Sequence, residues 1–496
     1  MIELVLSHER LRLNPGVIVW AFLFVICTKF AAAAGSPTVT LAWLGLSAAI
    51  CFILPIRYLV ATIVATVVFL DASLWFLGDR VQVNTIYEVP GAFVKPPELL
   101  LLTLAARLLF IRNLIFDLPR SVTLAVFLWV SIVLVGGATA TVYGRSTNDI
   151  LIFSELRSPI IMTLGVFALY PIAKCRMSFL VDALGIFVLT HFAISLLSWA
   201  AGISVLWQSY APNYAGSQSA FFGADESVIV YLLAFAISLA LGFGRTSGQI
   251  TELGGTFWRC IFAVTSFAII ASLRRGGVAA AGIVGLGFFV FSSVGTKLRI
   301  LGAVAVLLPL LVVIANEVGA LEALMSRLSG VGAVAQSDLG RGLDAAQGAD
   351  YVSKYFWFGT GPGTRISSLR TQRYGVAETL SIHHALLHVW VRFGVLGAVS
   401  YILLFAAPIY CAFRVLMQRT SDEHRAARRV LALSLASLLI GLFLWGLSTP
   451  ALYINFRQGA VWMIAVVLLS VLATAHRPMP APVPRRAPKQ LGMAPS

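Results

Sequence analysis

A chain of 496 residues that is 59% hydrophobic and only 11% charged, with a mean hydropathy of +0.90, carries more apolar surface than a soluble core can bury. This composition excludes an ordinary globular enzyme and points to a polytopic membrane protein. The net charge of +15 does not point to nucleic acid, because Lys and Arg fall in short clusters between apolar runs rather than in solvated patches.

Apolar runs of roughly 17 to 25 residues recur along the chain, each long enough to cross a hydrocarbon core of about 30 Å as a helix. They lack the alternation of barrel strands, so the predicted fold is an all-α polytopic membrane protein. About fourteen transmembrane helices are expected from this pattern, over 15–34, 37–54, 58–78, 97–112, 121–143, 157–173, 178–203, 227–244, 256–273, 276–296, 299–316, 383–413, 429–448 and 458–475. The basic clusters at Arg10 and Arg12, Arg57, Arg107 to Arg120, Lys174 and Arg176, Arg245 and Arg259, Lys297 and Arg299, Arg414 to Arg429, and Arg477 to Lys489 occupy every second gap between them. By the positive-inside rule those gaps, and both termini, face the cytoplasm. Arg10 and Arg12 ahead of an apolar run ending in AAAAGS also fit a signal peptide, but further spans follow at once and a retained first helix fits the charge alternation. Cys27, Cys51, Cys175, Cys260 and Cys411 lie within spans or near their cytoplasmic ends, with neither a disulfide framework nor a zinc spacing.

Residues 1–476 are therefore expected to form one multi-span domain and 477–496 a disordered, Pro-rich, basic cytoplasmic tail. Two outward gaps are long. The first, 207–227, has aromatics and an acidic pair but no Lys or Arg, and the second, 317–380, is the large extracytoplasmic loop. That loop opens with a predicted amphipathic helix, ALEALMSRL, and carries Arg327, Arg341, Lys354, Arg365, Arg370 and Arg373. Outward positive charge opposes the topology rule, so these residues are expected to serve another purpose.

Three constellations could carry chemistry. Arg274 and Arg275 in SLRRGG sit where one span ends and the next begins on the outer side. Ionisable residues at membrane depth mark functional sites by default, although a pair at a helix end can also snorkel. Adjacent guanidiniums followed by Gly276 and Gly277 suit a diphosphate. The second is Gly359, Gly361 and Gly363 in GTGPG, which lack the strand-to-helix context and the Lys-Ser/Thr of a nucleotide loop. A tight turn that aims Arg341 and Arg365 is expected instead. The third is SIHHALLHVWVRFGVLG, where His384, His388 and Arg392 recur every four residues and His383 points about a quarter turn away. The i, i+4 His pair would suit zinc, but no third ligand is at hand. A hydrogen-bonded structural role and a general base, suited by a near-neutral pKa, both remain open. The run 383–413 exceeds one bilayer, so its first turns must project beyond the membrane or be buried in protein.

Taken in order, Arg275-Gly276, Gly340-Arg341, Gly359-Thr360-Gly361-Pro362-Gly363, His383-His384-Ala385-Leu386-Leu387 and Gly394-Val395-Leu396-Gly397 resemble the O-antigen ligase and O-antigen polymerase family of bacterial surface-polysaccharide proteins. The resemblance is specific over about 270–400, and His384 stands where the family usually has Asn. It implies a metal-independent membrane glycosyltransferase of the bacterial inner membrane, with its active site on the periplasmic side and no cofactor. The donor it implies is a polyprenyl-diphosphate-linked glycan, undecaprenyl diphosphate being the carrier. The implied acceptor is a hydroxyl of another glycan or a lipid, as in O-antigen or exopolysaccharide synthesis in the cell envelope. Carried over, Arg275 and Arg341 hold the diphosphate with Arg274 as a further candidate, and His383 is the base. His384, His388, Arg392, Gly359, Gly361 and Gly363 support them, and no metal is assigned. Expected partners are the lipid-linked donor, the acceptor, the bilayer and other polysaccharide-assembly proteins, with no nucleic acid. Polymerase and ligase share these motifs. The alternative is a lipid-linked oligosaccharide flippase, but a transporter should show two related halves, and Lys29, Asp71, Arg107 and His191 do not pair across halves.

Overall fold

The structure is a computed structural model that describes residues 13–34, 36–69, 95–110, 117–142, 149–200, 225–244, 248, 250–272, 275–317, 333–364, 366–367, 378–379, 382, 384–418, 423–447 and 456–474. It is helical almost throughout: α1 (Pro15–Ala33), α2 (Pro37–Ile53), α3 (Ile56–Phe69), α4 (Pro96–Leu109), α5 (Arg120–Val142), α6 (Asp149–Cys175), α7 (Met177–Ala200), α8 (Asp225–Phe243), α9 (Gly255–Ala271), α10 (Arg275–Phe291), α11 (Val294–Glu317), α12 (Ala333–Lys354), α13 (Ala385–Met417), α14 (Glu423–Gly446) and α15 (Phe456–Thr474). The only strands among the described residues are β1 (Ile366–Ser367) and β2 (Glu378–Thr379), paired antiparallel with Ile366 opposite Thr379.

Five helices, within α5, α6, α7, α13 and α14, are long and apolar enough to cross a membrane, and seven shorter apolar helices accompany them. Each predicted span has a helix over it, with shifted limits. The helix over 58–78 is described only to Phe69, and the one over 157–173 begins earlier, at Asp149. The predicted helix ALEALMSRL and the tail after Thr474 lie outside the described residues.

The helices differ in what surrounds them. Along α15, Ala460 to Leu469 are buried without interruption, as are Val228 to Ala240 of α8 and Leu59 to Phe69 of α3. Helices apolar all round belong in the middle of a bundle. Helices α2, α5 and α11 expose large apolar residues such as Leu46, Leu124 and Val306, as helices bordering lipid do.

Close contacts use small residues, the usual means by which membrane helices approach. Ala280 of α10 lies against Gly441 of α14, Gly276 against Trp445, and Gly287 against Ser437. These contacts hold the start of α10, and so Arg275, beside the end of α14.

A buried ion pair joins α4 to α6. Arg157 Nε lies 2.7 Å from Glu98 Oε2, Ser158 Oγ donates to Glu98 Oε1, and the Lys95 N–H donates to Glu98 Oε2 at 2.9 Å. Glu98 is wholly buried. A carboxylate there is tolerable because Ser158 and the Lys95 N–H donate to it and the Arg157 guanidinium lies beside it with the opposite charge. The sequence reading overlooked this pair, since each residue stood alone at a span's edge. The available signal was KPPE, a Pro-opened helix start whose Glu returns to the N-cap backbone.

Candidate functional site

The site is built where α12 and the turn following it meet α13. Helix α13 has 33 residues and is broken inside at Gly394, with φ 69° and ψ −167°. Only glycine adopts such a backbone without strain. A side chain there would also collide with the Trp357 carbonyl.

A break inside a buried helix frees backbone groups that must find other partners, and the segment 356–361 satisfies them. The Thr360 N–H donates to the Val391 carbonyl at 2.6 Å, the Gly361 N–H to the Arg392 carbonyl at 3.0 Å, and the Val395 N–H to the Phe356 carbonyl at 2.8 Å. Thr360 Oγ1 adds a bond to the Val391 carbonyl at 3.2 Å. Gly359, Gly361 and Gly363 all have positive φ, at 68°, 83° and 74°, so the predicted tight turn is present. The turn is inserted into the break of α13, where a Cβ on Gly359 would strike the backbone of Arg392 and Phe393, and one on Gly361 would strike Ala140 of α5. Arg365, which the turn was expected to aim, lies outside the described residues.

Arg392 fastens the arrangement. It is wholly buried, and its Nη1 donates to the Gly361 carbonyl at 3.2 Å and to the Thr364 carbonyl. Hydrogen bonds from a charged donor are stronger than neutral ones. Phe393 packs over Gly136 of α5 and edge-on to Trp129 at 6.0 Å.

The histidines divide. His384 is the N-cap of α13 rather than a member of its face: its backbone is extended, and its side chain accepts from the Leu387 N–H through Nδ1 at 3.2 Å. His388 is wholly buried and accepts the Ile382 N–H at Nδ1, 3.3 Å away. In both rings Nδ1 is thus occupied by a backbone N–H. Burial holds the His384 pKa below its ordinary value. Among the described residues no group of three or more His, Cys, Asp and Glu is gathered as a metal site. The four-residue recurrence therefore holds for His388 and Arg392, while His384 stands just outside the helix. The first turns of α13 do not project into water: Ala385, His388, Val389, Val391 and Arg392 are at most 1% exposed.

Helix α12 covers these turns. Gly348 lies against Ile382 and Leu387, and Tyr351 and Val352 pack on Ile382 and Val391. Arg341 lies seven residues before Gly348 in α12, on the same helix face two turns away; its side chain is outside the description. His383 and Arg274 also lie outside the described residues. Arg275 is half-buried as the first residue of α10.

A family model described as O-Antigen ligase matches residues 260–402, and no curated protein matches the chain. The match runs from α9 through α12 to the middle of α13. Over residues 260–402, the segment that holds the arginines, the inserted glycine turn and the histidines, the chain is thus similar to the O-antigen ligase family.

Proposed function

We propose that this protein transfers a glycan from a polyprenyl-diphosphate carrier to an acceptor hydroxyl on the periplasmic side of the bacterial inner membrane, as a polymerase or ligase of surface polysaccharide. The observation that carries this reading is the docking of α12 on the first turns of α13, within the segment that resembles O-antigen ligases. It joins the helix carrying Arg341 to the stretch carrying His383 and His384.

In this reading Arg275 and Arg341, with Arg274, bind the departing diphosphate. Fixed guanidiniums in an apolar surround stabilise developing negative charge more strongly than they would in water. His383 takes the proton of the attacking hydroxyl, for which a pKa near neutrality is suited. His384, the next residue in the chain, is the N-cap of α13. No metal takes part, and the lipid tail of the donor is the reason for a membrane-embedded enzyme.

The test is replacement of Arg275, Arg341 or His383 by Ala in cells that lack the native copy, followed by gel analysis of surface glycan. Long-chain glycan should disappear while the protein inserts at its normal level. Full activity in all three variants would refute the assignment. Accumulation of single lipid-linked repeat units would identify a polymerase, and finished polymer that never reaches its acceptor would identify a ligase. Activity of the purified protein should survive exhaustive chelation.

A further inference from the structure

Beside the inserted turn, in the segment YFWFG, two large aromatic side chains stand out further than Phe356 at 39%: Trp357 at 66% and Phe358 at 67%. Their backbone is fixed. Helix α12 ends at Lys354, the Phe356 carbonyl accepts the Val395 N–H at 2.8 Å and the Trp390 indole N–H at 3.3 Å, and the Trp357 carbonyl lies against Gly394. The two rings therefore stand at the level of the break in α13.

Polarity changes in a fixed order along this side of the molecule. Less than one turn before the aromatics, Lys354 pairs with Asp350 at 2.7 Å, both side chains more than half exposed, as expected of groups in water. Immediately past the break begins a stripe of exposed apolar residues on one face of α13: Leu396, Val399, Leu403, Tyr410, Phe413 and Met417. At about 1.5 Å per residue, Leu396 to Met417 spans about 32 Å, against about 30 Å for a hydrocarbon core. The lipid-facing part of α13 thus starts at Leu396, and the nine residues before Gly394 belong to the outer, protein-covered part. Trp357 and Phe358 fall at the boundary, the depth at which Trp is enriched in membrane proteins because its ring is apolar and its N–H polar.

We infer that Trp357 and Phe358 are an interfacial anchor that seats the end of the large periplasmic loop in the outer leaflet of the bilayer, with the lipid headgroup–acyl boundary as their partner. The loop is then held at two places, by backbone bonds within the break of α13 and by aromatic rings in the lipid beside it. The anchor fixes the height of the Gly359–Gly363 turn relative to the leaflet, whatever reaction proceeds next to it.

The test uses the full chain in liposomes. In a variant whose five cysteines are replaced by Ala, a spin label is placed at 354, 357, 358 or 396, and collision with oxygen is compared with collision with a water-soluble nickel complex. Labels at 357 and 358 should lose most of the nickel collision seen at 354 while keeping oxygen access, with a depth between those of 354 and 396. Nickel access at 357 and 358 equal to that at 354 would overturn the anchor, as would shielding from both reagents, which would mean a protein cover. A second measurement leaves the cysteines in place: a photo-reactive phenylalanine derivative substituted for Phe358 should form adducts with phospholipid. Adducts with protein alone would overturn the proposal.

Discussion

His384 and Arg392 are the two residues whose roles can be read atom by atom. His384 accepts the Leu387 N–H at Nδ1, an atom that lies the same number of bonds from the backbone as the Oδ1 of asparagine, one of the best N-caps. His384→Asn should therefore keep the stability of the parent, and His384→Ala should lose about 1 kcal/mol, as read from thermal unfolding in detergent. Burial holds the His384 pKa below its ordinary value of 6.5, so the unfolded chain binds the proton more readily than the folded one. The contribution of the cap is fully present above about 6.5 and falls away as pH drops through the lower folded value. The stability gap between the parent and His384→Asn should accordingly widen on acidification, with the parent the less stable. Parallel curves for the two proteins would contradict this. Arg392→Met keeps the volume but removes the guanidinium from both carbonyls, leaving that of Gly361 only the Thr360 hydroxyl, at a cost of roughly 2–4 kcal/mol by the worth of charged hydrogen bonds and buried unmet acceptors. Arg392→Lys should recover only part of it, because one ammonium cannot reproduce the planar fork.

At the scale of elements, the break in α13 and the turn that fills it form one unit. Gly394→Ala adds strain at φ 69° and a collision with the Trp357 carbonyl, so it should expel the 356–361 segment. Limited proteolysis should then cleave between Tyr355 and Thr364 at rates well above the parent's, while helix content by circular dichroism stays nearly unchanged. Equal cleavage rates would show that the insertion survives a side chain there. The Glu98–Arg157 pair ties α4 to α6 in the same way. Glu98→Gln removes the charge that balances a nearly buried guanidinium, and removal of one partner from such a pair costs roughly 3–5 kcal/mol. Paired replacement of both residues by apolar side chains of similar volume should cost less than the single change. Sequence reading found the glycines, Arg392 and the overlong span, because spacing and composition are properties of the chain. It did not find that Gly394 and GTGPG, more than thirty residues apart, fit into one another, because hydrogen bonds between distant segments leave no period in either.

For the whole molecule, the orientation of the bundle has a direct test. A cytoplasm-only reporter fused at Gly348 of α12 should be silent, and a strong signal would invert the topology drawn from the basic clusters. The apolar runs determined that the chain is a bundle of membrane helices, since twenty or so apolar residues in a row can satisfy their backbone in lipid only as a helix. The ordered motifs from Arg275 to Gly397 determined the family resemblance. Tertiary structure alone decided which helices lie in the centre, because apolar content does not separate them: α2, which exposes Leu46, is more apolar in sequence than the buried α3, α8 and α15. It also decided that His384 is a cap, that His388 and Arg392 are interior fasteners, and that Glu98 and Arg157 meet. Each of these depends on a partner supplied from elsewhere in the chain, and burial of a polar group is favourable only when that partner is in place.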